Sequence, residues 1–296
     1  MGYVGRFAPS PTGPLHAGSL LTAVASFLHA RQAGGEWLVR IEDIDPPREA
    51  PGAADEILRA LEAFDLTWDR PVLYQSRRLD VYADAVRRLV DQGAAFACRC
   101  SRSALRAYAA DRGVPVGYPG TCRELALGAE DAAIRMRVDP PWSGFDDALQ
   151  GRYEPPRTAG FPDYVIRRRA GLPAYHLAVV IDDAFQGVTT IVRGYDLLEC
   201  VPAQQHLQTA LGLPRPRYYH VPVLTGPTGQ KLSKQTGARA VDARNPSREA
   251  FAALERLGAA PPAELEGAPP AELWEWAITH WRIERLRGIA TIPVGE

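Results

Sequence analysis

Two short tracts in this sequence hold residue types suited to gripping phosphate. The first, RFAPSPTGPLHAGS, runs from Arg6 to Ser19. Gly13 and Gly18 let an anion approach the backbone, a helix starting near Gly18 aims its free amides at that anion, and His16 adds a donor at the same place. The plainer reading is a proline-rich turn closed by a capping serine. The second tract, QKLSKQ, spans Gln230 to Gln235 on a glycine-rich turn. Two ammonium groups on a mobile loop can close on a triphosphate and stabilise charge developing on a leaving pyrophosphate. A solvated lysine pair is the plain alternative, but the 34 basic residues include only two lysines, Lys231 and Lys234. In so arginine-rich a chain, a position that stays lysine calls for a compact, mobile ammonium rather than a planar fork.

A third constellation is sulfur. Cys98, Cys100 and Cys122 lie within 25 residues, whereas Cys200 sits apart in the apolar run LLECVPA and reads as a small buried hydrophobe. Three thiolates can take three corners of a tetrahedral zinc site. No histidine lies between positions 30 and 175, so a nearby fourth ligand is a tyrosine, a carboxylate or water.

The elements that must carry these residues follow from apolar periodicity. A short buried strand over 4–8 runs into the proline turn. A helix then presents Leu20, Leu21, Val24, Phe27 and Leu28 on one face, and a strand at 36–41 ends in the acidic run Glu42-Asp43-Ile44-Asp45. Helices around Ile57 to Phe64 and Tyr82 to Val90 flank a strand at 72–74. This alternation predicts an α/β fold with a doubly wound parallel sheet and a ligand at the carboxyl ends of its strands. Periodicity fades from 98 to 160, which predicts an insertion. Strands are then predicted at 163–169, 176–183 and 189–194, a helix at 203–211 and a strand at 220–224. The division is therefore 1–97, a first Rossmann half; 98–160, a zinc-bearing insertion; 161–236, a second half with the lysine loop; and 237–296, a helical C-terminal extension. Helix starts are predicted there at Asn245-Pro246 and Pro269-Pro270.

With 296 residues, 46% hydrophobic, 23% charged and a net charge of −1, the chain has no whole-protein basic field and no apolar run long enough for a membrane span. The N-terminus enters the first tract directly, which leaves no room for a signal peptide. A cytoplasmic monomer without membrane contact is expected.

Taken in order, the tracts resemble the paired signatures of class I aminoacyl-tRNA synthetases, HIGH-like at His16 to Ser19 and KMSKS-like at Lys231 to Gln235. Ser19 stands where the first signature ends in a second histidine. The flanks RFAPSPTG and VRIEDIDPPRE are similar to the glutamyl and glutaminyl branch. EDIDPPREAPGAAD, AYHLAVVIDDAFQGVT and KLSKQ resemble its short paralogues, the glutamyl-queuosine tRNA(Asp) synthetases, over about residues 3 to 245. The remaining stretch is shorter than the helical anticodon-binding region of full glutamyl-tRNA synthetases, which agrees with the short paralogues.

That resemblance implies a glutamate pocket of Arg6, Phe7, Ala8, Pro9, Ser10, Glu42, Tyr175 and Arg193. It implies catalysis by His16, Lys231 and Lys234, and ATP held by His16, Gly18, Ser19 and Lys234 with Mg²⁺. It also implies one structural Zn²⁺ per chain on Cys98, Cys100, Tyr118 and Cys122. The residue chemistry agrees: arginine forks bind carboxylates in bidentate fashion, and Glu42 can accept from an α-ammonium. The implied partners are ATP, L-glutamate and queuosine-containing tRNA(Asp), with Arg99, Arg102, Arg106 and Arg123 of the insertion meeting RNA phosphates. Three other functions compete: a glutamyl-tRNA synthetase charging a 3′-terminal adenosine, a small-molecule adenylyltransferase, and a non-catalytic zinc-bearing RNA-binding module.

Overall fold

The computed structural model describes residues 2–113, 117–139, 144–155, 163–226, 229–232 and 239–294. Val4–Phe7 (β1) is buried at every position, as a strand covered on both faces must be, and it leads through the proline turn into Ala17–Gln32 (α1). Glu36–Ile41 (β2) follows, then Ala53–Ala63 (α2), Leu73–Tyr74 (β3) and Leu79–Asp91 (α3). β1 pairs with β2, and β2 with β3, all parallel, with Arg6 opposite Leu38.

Ala95–Cys98 (β4) opens a different layer. After Arg102–Arg112 (α4), the chain forms Ala133–Met136 (β5), a hairpin of Phe145–Asp147 (β6) and Gly151–Tyr153 (β7), and Val165–Arg167 (β8). β4, β5 and β8 make one antiparallel sheet, so the strand expected near 163–169 exists but bonds to the insertion's strands.

The run at 176–183, expected as a strand, is instead the middle of Tyr175–Gln186 (α5). Leu177 through Asp183 are all buried, so the helix has no wet face to reveal a 3.6-residue period, and a short apolar run buried all round reads alike in either geometry. Gly187 ends it with φ +70°, a left-handed cap that favours glycine. Thr190–Gly194 (β9), Val201–Leu211 (α6), Arg217–Val221 (β10) and Val223–Thr225 (β11) complete this half. β9 and β10 are parallel, and the Thr189 amide donates to Val4 O at 2.9 Å where β9 lies against β1.

The C-terminal segment supplies Pro246–Arg256 (α7) and Pro270–His280 (α8), which start where the proline signals predict. It also supplies a strand, Thr291–Pro293 (β12), that pairs in parallel with β11 and breaks the all-helical expectation. Nor is this segment peripheral. α7 and α8 cover the side of α1 turned from the strands, which is why α1 is buried around most of its circumference rather than on one face. The Trp274 indole donates to Phe64 O at 2.7 Å, Trp281 to Leu257 O at 2.9 Å, and the Gln32 amide to Trp281 O at 2.6 Å. Each buried indole N–H thus has its acceptor, as burial requires.

Candidate active site

Where β1, β2 and β9 end and α1 begins, a cavity of about 540 Å³ opens. Arg6 and Phe7 reach it from β1, Ala8, Pro9 and Ser10 from the turn, and His16, Gly18 and Ser19 from the start of α1. Glu42 enters from just beyond β2, Tyr175 from the first turn of α5, Arg193 from β9, and Lys231 from the second tract. The structure therefore brings the sequence-derived candidates to one cavity. Lys234 lies outside the described residues.

His16 is the N-cap of α1: its Nδ1 accepts from the Ser19 amide at 3.2 Å, and its Nε2 lies 3.0 Å from Ser19 Oγ. Gly13 adopts φ +138°, a turn conformation closed to ordinary side chains. At Gly18 an added Cβ would sit tightly against the His16 ring at 3.3 Å and in ordinary contact with Leu232 O at 3.9 Å, which places the start of α1 beside the second tract. The second tract is drawn there by Leu232 N donating to Leu224 O at 2.8 Å and by the Lys231 ammonium donating to Asp196 Oδ2 at 2.5 Å.

Beneath this cavity lies a buried charge cluster. Asp183 Oδ1 accepts from Arg6 Nε at 3.2 Å and from Arg40 Nη1 at 2.8 Å; Arg40 also donates to Gln186 Oε1 at 2.8 Å and to Glu42 Oε1 at 3.3 Å. Burial alone would raise Asp183's carboxyl, but Arg40 and Arg6 outweigh it and hold it below the ordinary range. For Glu42 the balance reverses: burial wins over Arg40 and Arg6 and pushes its carboxyl above the ordinary range. Burial likewise pushes the Tyr175 hydroxyl up to about 12, so it is neutral and able to donate.

Arg193 stands on the opposite wall. Its Nε donates to His220 Nε2 at 2.9 Å and its Nη2 to Leu197 O at 3.0 Å, while Nη1 is buried with no hydrogen-bond partner among the described residues. His220 Nδ1 lies 2.6 Å from Asp147 Oδ2. Asp183, Arg40, Asp147 and His220 were absent from the candidates. Asp183 was hidden by the strand assignment of α5, and a lone histidine in a strand gives no signal of its own.

The thiols of Cys98, Cys100 and Cys122 all lie within 4.8 Å of one another. Tyr118 adds its hydroxyl, which accepts from the Cys122 amide at 2.8 Å, and its side chain packs in one buried cluster with Cys98 and Cys122. Arg135 Nε donates to Cys98 Sγ at 3.3 Å. This donor set fits a tetrahedral soft-metal site. Of the arginines expected to face RNA, Arg99, Arg102 and Arg106 are exposed. Arg123 is not: it is buried, with Nε 3.0 Å from Asp163 and Nη2 3.1 Å from Asp139. A guanidinium committed to a buried carboxylate braces the insertion and does not meet a phosphate.

The family model described as tRNA synthetases class I (E and Q), catalytic domain, matches residues 3–273. The Glutamyl-Q tRNA(Asp) synthetase of Ectopseudomonas mendocina is 50% identical over 291 residues, covering 97% of each chain. That of Thiobacillus denitrificans is 52% identical over 285 residues, covering 96% of this chain and 94% of the relative. In three dimensions, the glutamate-tRNA synthetase of Elizabethkingia anophelis superposes with a TM-score of 0.79 at 24% identity, over 99% of this chain and 68% of the other, a likeness of fold. No described helix is long and apolar enough to cross a membrane. Matched almost end to end by relatives with half its residues in common, the chain belongs to the class I tRNA synthetases of the glutamate and glutamine type, in the glutamyl-Q tRNA(Asp) synthetase family.

Proposed function

We propose that this chain activates L-glutamate with ATP and esterifies it to the queuosine nucleoside in the anticodon of tRNA(Asp). The observation that carries this is one cavity joining a helix start fit for phosphate to two buried arginines and a buried glutamate, in a chain of this family. Arg193, with Nη1 unpartnered, and Arg6 bind the carboxylates of the amino acid. Glu42 accepts from its ammonium, the Tyr175 hydroxyl fixes its orientation, and the backbone from Phe7 to Ser10 forms the floor. An uncharged glutamine side chain would leave a buried cation uncompensated, which excludes it.

In the first step, a carboxylate oxygen of glutamate bonds to the α-phosphorus of ATP and pyrophosphate leaves with the electron pair. His16, the amides of Gly18 and Ser19, Lys231 and Lys234 stabilise that departing charge. Mg²⁺ arriving with ATP neutralises phosphate charge. In the second step, a queuosine hydroxyl oxygen bonds to the adenylate carbonyl carbon, loses its proton and expels AMP.

The same reading makes the metal a structural Zn²⁺, one per chain, held by Cys98, Cys100, Tyr118 and Cys122, far in sequence from both phosphate tracts. It takes the two parallel ladders as one doubly wound Rossmann-type sheet meeting at β1 and β9, split by the insertion at 98–160 and buttressed by 237–296. Exposed Arg99, Arg102 and Arg106 position the RNA, and the chain acts in the cytoplasm as a monomer. The test compares tRNA(Asp) with and without queuosine, and an isolated queuosine-bearing anticodon stem-loop. Labelled glutamate should join only the queuosine-bearing RNAs, the stem-loop included. Equal labelling of both tRNAs with none of the stem-loop would return the chain to 3′-terminal charging.

A further inference from the structure

Arg193 and His220 are directly opposed partners on the parallel strands β9 and β10, and Asp147 ends β6 beneath them. The three form a buried line: the Arg193 and Asp147 side chains are 3% and 4% exposed as residues, and His220 is fully buried. The direction of each bond follows from the end member. A guanidinium Nε only donates, so His220 Nε2 accepts, which leaves the ring proton on Nδ1 to be donated to Asp147 Oδ2. Asp147 is fixed in turn, because its Oδ1 accepts from the amides of Gln150 at 2.9 Å, Leu149 at 3.0 Å and His220 at 3.3 Å. Tyr218 stacks on the His220 ring with 9° between planes, which sets the ring's tilt. Burial holds His220 neutral by pushing it down to about 4, against the opposing pull of Asp147.

We infer that Asp147 and His220 are positioning residues for amino-acid binding: they lock the imidazole tautomer that accepts from Arg193 Nε and so fix the guanidinium in the wall of the cavity. Nε and Nη2 are spent on His220 and Leu197 O, and the remaining nitrogen is the one without a protein partner among the described residues. A guanidinium held at two of its nitrogens loses little freedom when a carboxylate arrives, so the relay lowers the cost of ordering the site. The inference rests on the reading of Arg193 as a carboxylate ligand of glutamate.

The sharp perturbation is Asp147→Asn. Three backbone amides keep the asparagine oxygen where Oδ1 stood, which turns the NH₂ toward His220 Nδ1. The ring must then move its proton to Nε2, where it faces the Arg193 Nε–H donor to donor. His220→Gln is the conservative control: with Asp147 kept, its amide oxygen accepts from Arg193 while its NH₂ donates to Asp147.

Two measurements on the full chain decide the matter. Long-range ¹⁵N–¹H NMR of the imidazoles should report Nδ1–H for His220 in the wild type and Nε2–H in Asp147→Asn. In ATP–pyrophosphate exchange, Asp147→Asn should raise the glutamate KM about tenfold or more and leave the ATP KM within about twofold, and His220→Gln, which keeps an acceptor toward Arg193, should raise the glutamate KM less than Asp147→Asn does. A wild-type His220 carrying its proton on Nε2 overturns the relay whatever the activity. An unchanged glutamate KM in Asp147→Asn, or equal rises in both KM values, overturns the positioning role. Absence of glutamate-dependent exchange in the wild type refutes the glutamate reading instead, and the NMR result separates the two failures.

Discussion

Asp183→Asn isolates the electrostatics of the charge cluster, because it removes one negative charge and keeps an oxygen where Oδ1 accepts its bonds. In the wild type that oxygen lies 3.2 Å from Arg6 Nε and 2.8 Å from Arg40 Nη1, with the side chains of Asp183 and Arg40 5% and 0% exposed. At an effective dielectric of about 20, each contact is worth about 5–6 kcal/mol before desolvation is counted. The variant leaves two buried guanidinium groups with Glu42 as the carboxylate still bonded to Arg40, since Asp182 acts on Arg40 only at longer range and is turned onto Gln75, Arg78 and Tyr82. Breaking a buried pair from one side costs about 3–5 kcal/mol once desolvation is included, so the folded state should lose that much. Urea unfolding gives the loss directly, with an unchanged m-value marking a stability effect. A partner variant completes the cycle: Arg40→Met with Asp183→Leu should be less destabilised than Asp183→Leu alone, because the apolar pair no longer strands the Arg40 charge. If Asp183→Asn unfolds within about 1 kcal/mol of the wild type, the cluster is solvated far more than its burial implies, and the reasoning fails.

Two further outcomes follow from the site. Glu42's carboxyl lies above the ordinary range because burial outweighs Arg40 and Arg6. It holds an ammonium only when ionised, so glutamate affinity should fall as pH drops through that raised value, beginning at a higher pH than a solvated carboxylate would give. Glu42→Gln should raise KM throughout and flatten that limb, and a limb that persists in the variant would assign it to another group. Elemental analysis of freshly purified chain should find about one zinc, and Cys100→Ser with Cys122→Ser should release it; zinc retained by that double variant would dismiss the sulfur cluster as its ligand set.

The parts of the fold legible in the sequence are those where burial is one-sided or punctuated. β2 and the starts of α7 and α8 fall where acidic or proline boundaries predict them. α5 reads as a strand in the sequence because Leu177 to Asp183 are buried without a break, and even the neighbours Asp182 and Asp183, with different buried partners, fit either geometry. β12 gave no signal because a three-residue strand is defined by its partner β11 rather than by its own composition. In the site, residues inside the two tracts were findable from type and spacing. Asp147 and His220 stand 73 positions apart, and only folding brings them to Arg193.

The acidic run after β2 shows why residue type alone stops short of role. Glu42, Asp43 and Asp45 carry the same charge within four positions, yet each leaves the strand end in a different direction. Glu42 turns into the cavity and accepts from Arg40. Asp43 accepts from the amide and hydroxyl of Ser76 at 2.9 and 2.6 Å, capping the turn before α3. Asp45 accepts from Arg168 Nη1 at 2.7 Å, while the same guanidinium donates to Ile44 O and Pro173 O, tying the strand end to the segment that leads into α5. Three carboxylates so close would repel one another if they shared a face, and the chain, having left β2 after Ile41, turns each toward a different partner. The run therefore works as a junction: one member can bind a ligand because its neighbours are occupied in holding the backbone that aims it. The Arg168 ion pair with Asp45, three residues beyond Glu42, therefore ties the antiparallel layer that contains β8 to the strand end that lines the cavity.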